Sequence, residues 1–196
     1  MTINNSTVSG NSAVVPPFGY GGGIFNGGTL TINNGTLTGN SATISGGGIY
    51  NATYARLVTI NNGTLSGNSA ANGGGIYTAA TARLQNSIVA NSLSGGNCSG
   101  TMTSNGYNLS SDSTCNFTGP GDMNNINPHL GTLQNNGGPT QTMALSSGSP
   151  AVDAGNPSGC TDSSGHLLKT DQRGMPRHDT EDSGGCDMGA YERQSD

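Results

Sequence analysis

Eleven acidic and six basic side chains carry all the formal charge on this chain of 196 residues, so the groups able to do acid–base or metal chemistry are quickly located. All the acids lie between residues 94 and 196, with Lys169, Arg173, Arg177 and Arg193; residues 1–93 hold Arg56 and Arg83 and no carboxylate. Cleaving a polysaccharide requires paired carboxylates, or carboxylates holding calcium beside a base. Such a site must therefore come from the second half. Its candidates are Asp153, Asp171, Asp179, Glu181, Asp182, Asp187 and Glu192, near Arg173 and Arg177. A calcium site is one use for them, since "HDTEDSGGCD" offers hard oxygen ligands. The spacing is not that of an EF-hand, and an ion-pair network is the simpler use, with Arg173 bridging Asp153 or Asp187 bidentately and Asp171 close by. His129, His166 and His178 are too scattered for a joint metal site, and no cofactor is expected.

The other candidates are uncharged. Thr7, Thr36 and Thr64 recur at nearly constant spacing, and Ser9, Thr38 and Ser66 recur two residues further on. A flat Thr-x-Thr grid orders surface water in several ice-binding proteins, although Thr also simply suits an exposed strand. Phe25, Tyr50 and Tyr77 recur in the same way. Each follows an Ile, so if the Ile points inward the ring points outward, where a column of rings meets a sugar or protein partner or packs on nearby loops. The near absence of Lys and Arg from residues 1–93 argues against nucleic acid as a partner. No apolar run is long enough for a transmembrane helix, and no signal peptide is recognisable.

The element that must position these columns is a repeat. Ile-Asn-Asn recurs with Ile at 3, 32 and 60, and triple glycines recur at 21–23, 46–48 and 73–75. A fourth, degenerate copy reads "LQNSIVANS", 84–92. Inside each copy apolar and polar residues alternate over three to five residues, cut by Asn34-Gly35, Gly39-Asn40 and Gly46-Gly47-Gly48. Alternation is strand periodicity, Gly and Asn make the corners, and a period in the high twenties signals a solenoid. The expected fold is all-β: a single-stranded right-handed parallel β-helix with three short strands per coil. Ile3, Ile32 and Ile60 would stack inside, as would Val8, Leu37 and Leu65, and Ile24, Ile49 and Ile76; Asn11, Asn40 and Asn68 would form a hydrogen-bonded ladder at one corner. The repeats fill 1–93. Residues 94–196 read as an irregular continuation and a loop-rich C-terminal cap containing all four cysteines, Cys98, Cys115, Cys160 and Cys186. None forms a C-x-x-C pair, so two disulfides and an oxidising compartment are expected, sequence-order pairing being one of three connectivities.

The run "LGTLQNNGGPTQTMALSSGSPAVDAGNPSGC…TDQRGMPR…CDMGAYE" resembles the C-terminal module of bacterial choice-of-anchor Q proteins. The units "GGGIYN…TINNGTLSGNSA" are similar to Pmp-like (polymorphic outer membrane protein) β-helix repeats. That resemblance implies a secreted or surface location and no established catalytic residues. The expected function is non-enzymatic: an extracellular adhesin-like or scaffold module that binds a glycan or protein along its lateral face, or associates with itself end to end. The alternatives are ice binding by the Thr/Ser face, and a polysaccharide lyase or hydrolase with its site in the second half.

Overall fold

The structure is a computed structural model and describes residues 1–15, 17–162, 164–177 and 185–194. Three parallel sheets each collect one short strand from successive coils. The first contains Thr2–Asn4, Thr29–Asn33, Leu57–Asn61, Ala82–Gln85 and Met102–Ser104. The second contains Thr7–Ser9, Thr36–Thr38, Thr64–Ser66, Ile88–Ala90, Leu109–Ser110 and Met123–Asn124. The third contains Ile24–Asn26, Ile49–Asn51, Ile76–Thr78 and Cys98–Ser99. The chain is thus an all-β parallel solenoid of about four turns. A fourth, shorter ladder joins Ser12–Ala13 to Ser41–Ala42 between the second and third sheets, so a coil carries slightly more strand than the three pieces expected.

The register stacks like on like. Ile3, Ile32, Ile60 and Leu84 pair in one column, Val8, Leu37, Leu65 and Val89 in a second, and Ile24, Ile49, Ile76 and Cys98 in a third. They form one core cluster with Leu30 and Val58, against which the first-coil Ile3 and Val8 pack half-buried. Each fully buried aliphatic side chain contributes about 1.5–3 kcal/mol relative to an exposed one, but only because the next coil covers it. Stacked amides extend the same logic to polar groups. Asn11 donates to Asn40 and Asn40 to Asn68, both at 3.0 Å. Asn61 donates to Asn33 and Asn33 to Asn4, both at 2.9 Å. At another corner Asn5, Asn34, Asn62 and Asn86 all have positive φ, between 48° and 52°. Asn is the non-glycine residue that enters this region most readily. Gly47 of the triple-glycine corner lies directly over the Ser69 and Gly74 carbonyls of the next coil, which leaves no space for a Cβ.

The solenoid continues past residue 93, through Cys98–Ser99, Met102–Ser104 and Leu109–Ser110 to Met123–Asn124. The disulfides follow sequence order, Cys98–Cys115 and Cys160–Cys186. Cys98–Cys115 brings Phe117 into the main core cluster, closing the last coil. The irregular continuation expected after residue 93 is thus present. Residues up to Asn124 finish the coils, and the rest lies along one side of them. That later part begins with an antiparallel hairpin, Leu130–Gln134 with Thr142–Leu145, and continues as loops. Leu145, Ala151 and Met188 form a second apolar cluster on Ile88, Ala90 and Leu109. These three project outward from the second sheet, in register with Thr64 and Ser66.

Candidate functional site

The outward column of the second sheet is the proposed Thr/Ser face, and the C-terminal segment covers it. Thr36 is 0% and Thr64 1% exposed, and Thr38 and Ser66 are also buried. Only Thr7, half-buried, and Ser9, exposed, at the first coil reach solvent. Thr36 donates its hydroxyl to Gln172 Oε1 at 2.6 Å, and Gln172 Nε2 donates to Thr7 Oγ1 at 2.8 Å and Thr140 Oγ1 at 2.9 Å. The Thr64 hydroxyl oxygen accepts from the Ala190 N–H at 3.0 Å. Gly189 passes so close that a Cβ there would stand 2.6 Å from Thr64 Oγ1. Thr36 and Thr64 are therefore docking residues for the protein's own chain. The expectation of an open grid is corrected for Thr36, Thr38, Thr64 and Ser66, because all are buried: Thr36 and Thr64 bond to Gln172 and Ala190, and Ser66 accepts from Asn91 Nδ2 at 3.3 Å.

The left-handed Asn corner guides the same segment. Asn34 donates to the Thr170 carbonyl and Asn62 to the Thr161 carbonyl, each at 3.0 Å, and Asn86 Oδ1 accepts from the Asn156 N–H at 2.9 Å. The order 170, 161, 156 against 34, 62, 86 shows that the segment descends the solenoid toward its first coils. It then returns, with the Gly189 N–H donating to the Asn86 carbonyl at 2.7 Å. Sequence reasoning took Asn34-Gly35 for a turn alone. The detectable sign was the outward column itself, which changes from Thr64 to Ile88 and Leu109, residues that a bare coil would leave in water.

The ion-pair network exists but is wired differently. Arg173 Nε pairs with Asp171 Oδ2 at 2.8 Å, and its two terminal nitrogens donate to the Asn136 and Glu192 carbonyls. The guanidinium stacks on Tyr191, 3.7 Å from the ring centre. It is thus fully engaged without the bidentate bridge to Asp153 or Asp187 that was expected. Asp187 instead accepts the backbone N–H groups of Asp153, at 2.9 Å, and Arg193, at 2.6 Å. The central pair is Arg177–Glu192, 2.8 Å apart and both buried. Arg177 also donates to Asn34 Oδ1 at 2.9 Å, which ties the network to the coils. Burial pulls the Arg177 guanidinium below its usual range, opposed by Glu192, Asp171 and Asp187. Asp179, Glu181, Asp182 and His178 lie outside the described residues. Among the described residues, no three His, Cys, Asp or Glu are grouped to hold a metal ion.

The aromatic column stands as expected on the outer side of the third sheet. Phe25, Tyr50 and Tyr77 are in register. Phe25 stacks on Tyr50 with ring centres 5.2 Å apart, and Tyr50 on Tyr77 at 5.1 Å with planes 6° from parallel. Tyr20 adds a tilted ring 4.8 Å from Tyr50, and Tyr54, 72% exposed, lies over Gly27. Stacking consumes the ring faces, so the column shows solvent its edges and hydroxyls. Burial raises the Tyr50 hydroxyl above its usual range, helped by Tyr77, Tyr20 and Tyr54.

The first sheet carries a feature that sequence reasoning missed. Thr161, Asp162 and Gly165 of the descending segment form a wall beside its outward side chains, bordering an open cleft of about 510 Å³. Thr31, Thr59 and Arg83 stand in one column of its floor, with Asn61 and Gln85 in the next. Compared with known proteins, the chain matches no family model, no curated protein and no solved structure.

Proposed function

We propose that this protein is a non-enzymatic secreted or cell-surface module of the adhesin-like or scaffold type, contacting a partner along the aromatic side of its solenoid. The observation that carries the reading is the stacked strip of Tyr20, Phe25, Tyr50 and Tyr77 on a rigid sheet. Exposed aromatic strips mark interaction surfaces, and Tyr supplies contact area at low entropic cost. Ring edges and hydroxyls suit a protein surface better than the face of a sugar ring. A strip spanning several coils adds weak contacts into avidity.

Three further observations support the reading. Both disulfides fit an oxidising compartment. The resemblance to choice-of-anchor Q and Pmp-like chains points to the same location. The carboxylates with described partners are already engaged: both oxygens of Asp171 accept hydrogen bonds, from Arg173, Met175 and Glu192, and Glu192 holds Arg177. Acids committed in this way are poor proton donors and acceptors for a substrate.

The test is binding of the purified protein to immobilised extracellular-matrix proteins and to a glycan array, with Tyr50→Ala and Phe25→Ser as variants. Wild-type binding to a protein ligand that drops about tenfold or more in both variants supports the reading, since one aromatic anchor is commonly worth over 1 kcal/mol. Binding unaffected by either variant, or no binding on any surface, overturns it.

A further inference from the structure

Many polar side chains of the solenoid are paired within the molecule, and the cleft on the first sheet holds several that are not. Asn columns bond along the stack, and the Thr column of the second sheet bonds to the C-terminal segment. In the cleft, the Thr31 and Thr59 hydroxyls and the Arg83 guanidinium have no hydrogen-bond or ion-pair partner among the described residues. Arg83 is exposed and shares residues 1–93 with no acid at all. The facing Asp162 forms no direct ion pair with it: its Oδ1 accepts the Ser164 and His166 N–H groups at 2.7 and 3.0 Å and its Oδ2 lies 3.6 Å from the His166 ring. Those bonds hold the Asp162 carboxyl below its usual range against the opposing effect of burial.

The cleft is also firmly built. Its wall is anchored by Asn62 Nδ2 on the Thr161 carbonyl and by Gln85 Nε2 on the Thr161 hydroxyl at 3.2 Å. The Cys160–Cys186 disulfide adjoins it. Its volume falls within the range of about 300–1,000 Å³ usual for ligand sites, and its lining mixes hydroxyls, amides, the Arg83 cation and the Asp162 carboxylate with apolar surface.

From these features we infer that the cleft binds a short stretch of an acidic saccharide chain, with Arg83 gripping a sugar carboxylate. A guanidinium matches a carboxylate in planar, bidentate fashion. The hydroxyls of Thr31 and Thr59, one coil apart at about 4.8 Å, meet ring hydroxyls at a repeat close to the length of one pyranose unit. Leu57 supplies the apolar patch on which a sugar's C–H groups rest. The inference rests on reading the solenoid as a lateral binding surface, but it places the ligand on a different sheet from the aromatic strip.

The experiment is titration of ¹⁵N-labelled protein with tri-galacturonic acid and with its methyl ester, an uncharged chain of the same linkage. The acidic trimer is expected to shift the amides of Thr31, Thr59, Arg83 and Gln85, to bind about tenfold or more tightly than the ester, and to weaken as salt rises. Arg83→Gln is expected to remove that preference, a charge-assisted pair being worth about a tenfold factor or more; an exposed, unpartnered residue changes at little cost to folding. Tyr50→Ala is expected to leave it unchanged, so failure of the aromatic reading and failure of this one are separable. Equal affinity for acid and ester, shifts confined to the third sheet, or no shift at millimolar trimer would each overturn the inference.

Discussion

Replacing Gln172 by Leu tests whether the C-terminal segment truly closes the Thr face. Gln172 is 1% exposed and bridges Thr7, Thr36 and Thr140. Leu keeps the volume but strands the Thr36 hydroxyl, which has no access to water. An unsatisfied buried donor costs about 1–3 kcal/mol. The bonds to Thr7 and Thr140 are half-exposed, so water takes over part of their net worth of about 0.5–1.5 kcal/mol each. The expected loss is about 2–4 kcal/mol, which for a chain of this length lowers Tm by about 5–15 °C. Urea unfolding of wild type, Gln172→Leu, Thr36→Val and the double variant measures it. Because deleting both partners is far less costly than stranding one, the double variant should be more stable than the sum of the singles by about 1 kcal/mol or more. Additive variants, each within about 0.5 kcal/mol of wild type as for open surface positions, would show that Thr36 faces solvent, and the reasoning about the covered face would be wrong.

Removing the Cys160–Cys186 link with paired serines should destabilise the protein by about 3–4 kcal/mol on the chain-entropy scale, with hydrogen exchange rising first at Ala190 and Gly189. Asp112 lies below the usual value of 3.8: burial pushes it up, but hydrogen bonds from Thr114, Asn97 and Ser110 outweigh that. A depressed acid contributes stability above its unfolded pKa that is lost as pH falls through the folded one. The urea midpoint should therefore drop below about pH 4, less steeply in Asp112→Asn. Tyr50 is raised from 10.0, by burial first and then by Tyr77, Tyr20 and Tyr54, so its stabilising effect should fade as pH rises above 10, and Tyr77→Phe should lower its titration midpoint in an ultraviolet pH scan.

The coils were legible because their information is local and repeated. An Ile at 24, 49 and 76 followed each time by a ring fixes the inward and outward sides of a strand, and the rings stack as that alternation requires. The Asn11, Asn40 and Asn68 ladder follows from recurrence at one corner. The position of the second half was not legible, because it depends on contacts between residues more than a hundred positions apart, such as Thr36 with Gln172 and Thr64 with Ala190. An outward Thr on a strand reads the same whether it meets water or an amide. Arg173 was misassigned for a related reason: charge alone did not separate Asp171, two residues away, from Asp153 and Asp187.

Covering the second sheet determines where binding chemistry is left. A solenoid coil presents three sides, and a segment that docked on the first or third would have hidden either the unspent Thr31, Thr59 and Arg83 or the aromatic strip. It docks where the left-handed Asn corner offers side chains to its backbone and where Ile88 and Leu109 need apolar cover. In doing so it also raises the Thr161–Asp162 wall beside the first sheet. The segment that removes the Thr grid from solvent thereby turns a flat neighbouring sheet into a cleft, and Arg83, one of only two charges on the repeats, stands on the floor of that cleft.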